Sequence, residues 1–185
     1  MTRLYLAAAT LNVWVLVLVL AAAFAVQLIV GELPCPLCVM QRVALMLVAL
    51  GPLHILLRAR HDALTVRDAA VGNGIAILAA LLGVIASGRQ TLLHILPGDA
   101  GFGSPVLGFH LYTWCLIAFA CQIAASAVML LATAWLDDKP LDWHATGITT
   151  LAFAVVVVAN LLSVAAEAGF NWDLPADPVR YLLFG

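Results

Sequence analysis

Five apolar runs, each long enough to cross a bilayer, constrain this chain more than any other feature. They cover about residues 4–30, 39–57, 69–87, 106–136 and 146–166. A hydrocarbon core about 30 Å thick needs roughly 20 apolar residues in a helix. Helices are also the spanning form that satisfies its own backbone within one segment. The expected fold is therefore an all-α integral membrane protein with five spans, in a single transmembrane domain of 185 residues. Composition agrees: 65% of residues are hydrophobic and 10% charged, with a mean hydropathy of +1.10. A soluble chain carries about half apolar and about a quarter charged residues. The net charge of −2 and the lack of a basic run exclude nucleic acid as a partner. Membrane lipid is the expected surrounding. The first run exceeds the 7–15 residues of a signal-peptide core, so it reads as a span despite small residues at Ala21–Ala25.

Lysine and arginine set the expected orientation. With a cytoplasmic N-terminus, Arg3, Arg58, Arg60, Arg67 and Lys139 fall inside, and Arg42, Arg89 and Arg180 outside. The cluster Arg58, Arg60, Arg67 in one short loop is the clearest signal. The outside segments are then 31–38, 88–105 and a tail, 167–185. The tail carries Phe170, Trp172, Tyr181 and Phe184, and Asp177-Pro178 reads as the N-cap and first position of a short helix. Two readings stand for it: an interfacial helix lying on the membrane, or a docking surface for a membrane-complex partner.

Cys35-Pro36-Leu37-Cys38 lies at the outer mouth of the second span. A helix N-terminus turns free N–H groups and partial positive charge toward a thiolate. Pro36 suits the first helical turn, where a missing N–H costs nothing. Arg42 sits one turn beyond Cys38 on the same helix face. A cation at that depth reads as a stabiliser of a thiolate or of a developing anion on an electron acceptor. The other reading is an arginine snorkelling to headgroups. For the thiol pair, half of a zinc site with His94 and His110 is one alternative. Their separation does not fit a compact zinc motif, so no metal is expected. A static disulfide is the other; closing so small a loop stabilises little.

The run Pro34-Cys35-Pro36-Leu37-Cys38-Val39-Met40-Gln41-Arg42 resembles the P-C-x-L-C-x-x-[EQ]-R signature of the bacterial inner-membrane disulfide bond formation protein B family, DsbB. Gly88-Arg89-Gln90 with Leu96-Pro97 is similar to the segment after that family's third span. Gly108-Phe109-His110-Leu111-Tyr112-Thr113-Trp114 resembles the start of its last helix. The resemblance covers about residues 11–131. It implies a four-helix transmembrane bundle, here with a fifth helix added. It implies a thiol–quinone oxidoreductase that takes electrons from a periplasmic thioredoxin-fold protein and passes them to ubiquinone or menaquinone. On that basis Cys35 and Cys38 are the quinone-coupled pair, Cys38 faces the quinone, and Arg42 holds a quinone oxygen. His94 falls near a quinone-contacting position, with an interfacial histidine as its other reading. The location implied is the bacterial inner membrane, with Cys35 and Cys38 on the periplasmic side.

The chain departs from the family pattern in its second outside loop. Residues 88–105 contain no cysteine, where the family carries a second pair. Cys115 and Cys121 lie in the fourth span, about 9 Å apart in rise and on faces about 120° apart, which excludes a bridge between them. Cys121 reads as an ordinary buried thiol, and Cys115 either as the same or as a group near Cys38. A partner attacking Cys35–Cys38 directly is the simplest replacement for the missing pair. The rival expectation is a non-catalytic quinone-binding or structural subunit of a larger membrane complex, joined through the fifth span and tail. Gln27, Asn160 and Ser163 read as interhelical hydrogen-bonding residues, and Asn73 between Gly72 and Gly74 as a site of close helix packing.

Overall fold

A computed structural model gives the structure of the chain and describes residues 1–137, 143–171, 175 and 178–184. Lys139 of the orientation argument, and Trp172 and Asp177 of the tail, lie outside the described residues. Five long helices account for most of the rest. They are α1 (Thr2–Ala25, continued by a π-helical turn over Val26–Val30), α2 (Pro36–His61), α3 (Val66–Leu93), α4 (Leu111–Ala132) and α5 (Ala145–Ala168). Each is long and apolar enough to cross a membrane. Their outer faces carry exposed leucines and isoleucines, among them Leu11, Leu18, Leu78, Ile85, Leu131 and Leu161. Such a surface suits lipid and would be a liability in water. The protein is a multi-pass helical membrane protein.

The helix ends have local causes. Cys35 caps α2, accepting at Sγ from the backbone N–H of Cys38 at 3.3 Å, and Pro36 opens the first turn. Thr65 and Asp68 form a reciprocal capping box at the start of α3. Arg58 near the end of α2 donates to Asp68 at 2.9 Å, tying the two helices across their short connection. The fourth helix starts at Leu111, later than the apolar run suggests. Val106 and Phe109 exchange backbone hydrogen bonds around Leu107 and Gly108, both with positive φ, so residues 106–109 turn instead of coiling.

Helix α2 is the centre of the assembly, packed on α3 on one side and α1 on the other; α4 packs on α3, and α5 on α1 and α2. The α2–α3 approach depends on Gly51 and Gly72. A Cβ on Gly72 would stand 2.7 Å from the Gly51 carbonyl and 2.6 Å from Ile55 Cγ1. Small residues of this kind let helix backbones close in lipid. Asn73 does something else: its amide donates to the Tyr5 hydroxyl at 2.7 Å, joining α3 to α1. Trp14 donates to Thr149 at 3.1 Å, joining α1 to α5. The expectation for Asn160 fails, because its amide donates back to Val156 of its own helix at 2.9 Å. The four-residue spacing places that carbonyl directly within reach.

The tail does not form the expected helix over residues 178–184, which run as turns. Gly169, at φ +59° and ψ −129°, reverses the chain after α5 in a conformation that a side chain disfavours. The N–H groups of Leu182 and Leu183 then donate to the carbonyls of Glu167 and Ala166 at 3.3 and 3.0 Å. Those carbonyls end a helix and lack partners within it. Satisfying them draws the tail back over α5.

Candidate functional site

A cavity of about 460 Å³ opens between α1 and α4, with α2 as its floor. Its walls are mostly apolar: Val19, Ala22 and Ala23 from α1, Leu45 from α2, Leu111 and Ala118 from α4. Groups of other chemistry face it on α2 and α4, among them Cys38, Gln41, Arg42 and Cys115. Glu32, Leu33 and Pro34 from one loop and Phe102 and Gly103 from another close its outer end. Glu32 binds this second loop, accepting from the backbone N–H of Ser104 at 3.1 Å and from its hydroxyl.

Cys35 and Cys38 stand with Sγ atoms 2.8 Å apart, as free thiols. Cys35 is 6% exposed, while Cys38 is half-buried and lines the cavity. The Cys35 thiol is pulled down to about 6, first by the hydrogen bond from Cys38, then against burial by backbone N–H groups of Cys38 and Leu37 and by Gln90. The helix-mouth geometry thus favours a thiolate at Cys35.

Gln90, on α3, is the side chain that touches both sulfurs. Its amide nitrogen lies 3.4 Å from Cys35 Sγ and 3.6 Å from Cys38 Sγ, and its oxygen accepts from Gln41 at 2.7 Å. It is almost completely buried. The sequence brings Gln90 in only through a family resemblance and gives it no role. A glutamine on another helix, 52 residues from Cys38, carries no local signal of such a contact.

Arg42 is buried, so it does not snorkel to headgroups. Its hydrogen bonds go to α1: Nη1 to Gln27 Oε1 at 2.6 Å and Nη2 to the Ala23 carbonyl at 3.1 Å. The Phe24 ring lies 5.3 Å from its Cζ. Glu167 on α5 is fully buried, and neither carboxylate oxygen has a hydrogen-bond partner among the described residues. It interacts electrostatically with Arg42. Sequence reasoning misses Glu167, because one acidic residue near a span end resembles any interfacial charge.

His94 stands apart from the cavity lining. It caps the end of α3, its Nδ1 is 3.0 Å from Asp99 Oδ1, and its ring stacks on Tyr112 at 5.6 Å. The Asp99 carboxyl is held below the usual range by the Gly101 N–H and then by His94, which anchors the ring in this loop. His110 is committed elsewhere, bonded to the Gly103 carbonyl at 2.9 Å. Among the described residues no group of three His, Cys, Asp or Glu is placed to hold a metal ion. Cys115 reaches the cavity wall, whereas Cys121 is exposed on the outer face of α4, not buried as expected.

These features define a class: a helical membrane protein with a vicinal thiol pair set beside an apolar, arginine-bearing cavity. The chain belongs to the disulfide bond formation protein DsbB family, whose pattern it matches over residues 5–168. The match extends beyond residues 11–131 and takes in α5. Curated relatives agree. The chain is 44% identical over 69 residues to Disulfide bond formation protein B of Chromobacterium violaceum, covering 37% of this chain and 39% of that protein. It is 28% identical over 130 residues to Disulfide bond formation protein B 1 of Pseudomonas savastanoi pv. phaseolicola, covering 54% and 74%. It is 29% identical to Disulfide bond formation protein B of Pseudomonas syringae pv. tomato, with the same coverage. No solved structure matches the chain.

Proposed function

We propose that the chain is a thiol–quinone oxidoreductase of disulfide bond formation, using Cys35 and Cys38. The observation that carries this reading is the cavity: one sulfur of the pair and a buried guanidinium face the same apolar space. Its volume lies within the roughly 300–1,000 Å³ of small-molecule sites. A flat apolar ring with polar carbonyl oxygens fits such a lining, with Cys38 and Arg42 as the groups that would hold it. A bound quinone, ubiquinone or menaquinone, would supply the acceptor for two electrons and two protons.

The residues of the chain divide the work. In the oxidised pair, a thiolate of a periplasmic thioredoxin-fold protein attacks Cys35 Sγ and breaks the Cys35–Cys38 bond. Cys38 leaves as a thiolate facing the cavity. The partner's second thiol then displaces Cys35, whose low proton affinity makes it a good leaving group. The partner leaves oxidised and the pair reduced. Arg42 stabilises negative charge on the cavity side of Cys38. His94, bonded to Asp99, acts as an anchor for the 94–101 loop and not as a cavity ligand. The Glu32–Ser104 contact must open for a protein thiol to reach Cys35. The protein sits in the bacterial inner membrane, N-terminus inside, with the pair facing the periplasm. The rival reading, a structural subunit docked through its tail, draws less support: Tyr181 of that tail points inward to Gln27.

The test is anaerobic. The purified protein is reduced, freed of reductant and mixed with one equivalent of a soluble quinone, while absorbance and thiol content are followed. Two thiols lost per quinone reduced are expected, with no reaction in Cys38→Ala. Turnover that survives Cys38→Ala overturns the mechanism.

A further inference from the structure

Gln27 is 2% exposed and uses both ends of its amide. An arginine side chain can only donate hydrogen bonds, so the atom of Gln27 facing Arg42 must be the oxygen. The amide nitrogen then faces the opposite way, where two hydroxyl oxygens accept from it. These are Ser163 Oγ on α5, at 2.8 Å, and Tyr181 Oη in the tail, at 3.1 Å. Turning the amide over would place its NH₂ against the guanidinium, a donor facing a donor. Gln27 lies in the π-helical turn Val26–Val30, a wide turn of the kind often found at functional sites. Val26 of the same turn lines the cavity. Tyr181 reaches Gln27 because Gly169 reverses the chain and Leu182 and Leu183 bond the end of α5.

We propose that α5 and the returning tail are a positioning layer for Arg42. Ser163 and Tyr181 set the Gln27 amide, and Gln27 sets the guanidinium at the cavity. Ser163 and Tyr181 touch neither the thiols nor the cavity, so they are positioning residues. This rests on the reading that Arg42 serves an electron acceptor in the cavity. The fifth helix then has a role inside the protein: through Ser163 it supports the acceptor side of the site.

The experiment separates the two sides. Ser163→Ala/Tyr181→Phe removes both acceptors with little change in shape. With the full-length protein and a soluble short-chain quinone, KM for the quinone should rise about tenfold, the loss expected for one to two buried hydrogen bonds. Exchange between a small dithiol and oxidised Cys35–Cys38, without quinone, should stay within about twofold. Gln27→Ala should raise KM similarly, and adding Ser163→Ala/Tyr181→Phe to it should change nothing more, because all three act on one group. An unchanged KM in Ser163→Ala/Tyr181→Phe, with KM raised in Arg42→Ala, overturns the positioning layer and leaves the site reading intact. An unchanged KM in Arg42→Ala overturns both. Additive effects in the Gln27→Ala background, or a parallel loss of thiol exchange, also overturn the proposal.

Discussion

The reactivity of Cys35 should depend on Cys38 in a way that pH titration reads directly. The Cys35 thiol titrates at about 6, and its largest cause is the hydrogen bond from Cys38. An unperturbed cysteine titrates at about 8.5. At pH 7 the thiolate fraction is therefore about nine-tenths, against roughly 3% for an ordinary thiol, a ratio of about thirty. Cys38→Ala removes the largest contribution but leaves the backbone N–H groups and Gln90. The midpoint should then move up to a value between these limits, and the rate at pH 7 should fall about tenfold. Cys38→Ser keeps a donor and should fall less. The sign is that of a lowered group: thiolate is present above about 6 and is lost as pH falls through about 6. The assay is the anaerobic rate of alkylation of reduced Cys35 by a small uncharged reagent, followed by mass of the Cys35 peptide from about pH 4.5 to about 9.5. The burial of Cys35 slows every point alike and does not move the midpoint. A wild-type midpoint near about 8.5, or the same midpoint in Cys38→Ala, refutes the reasoning.

The packing sets three further outcomes. Glu32→Ala releases the loop held through Ser104; alkylation of Cys35 at fixed pH should speed up several-fold with no change in its pH midpoint. Gly72→Ala places a Cβ against Ile55 and the Gly51 carbonyl; overpacking of this kind costs about 1–3 kcal/mol, read as a lower Tm in detergent. Gly169→Ala strains the reversal after α5, and its Cβ would stand 3.1 Å from the Leu182 backbone. The strain is about 1–3 kcal/mol, and limited proteolysis should cut the 170–184 tail faster than in the parent protein.

Much of the fold was legible because a bilayer judges each segment separately. A run such as 146–166 must coil whatever its neighbours do, since no water is present to satisfy its backbone. The helix mouth at Cys35 was equally legible: Pro36, the cysteine spacing and the cap are local. Boundaries were less so. The turn at 106–109 hides within an apolar run, and its cause is a pair of backbone conformations at Leu107 and Gly108.

The tail shows the other limit. Its aromatics suit an interface, and residues 178–184 contain nothing that forbids a helix. What directs them is the set of unpaired carbonyls at the end of α5, together with a hydroxyl acceptor wanted by Gln27. The same holds for Arg42. Helical spacing put it one turn from Cys38, yet its hydrogen bonds run to Ala23 and Gln27 on α1.

By itself, then, the sequence determined a membrane-spanning helical chain with two thiols and a cation at one helix mouth, because bilayer thickness and helical periodicity act within a segment. Only the tertiary structure decided that Gln90 meets both sulfurs, that His94 belongs to Asp99, and that the fifth helix stands behind Arg42. Those contacts join residues on different helices, and a helix can turn any face inward until its neighbours are placed.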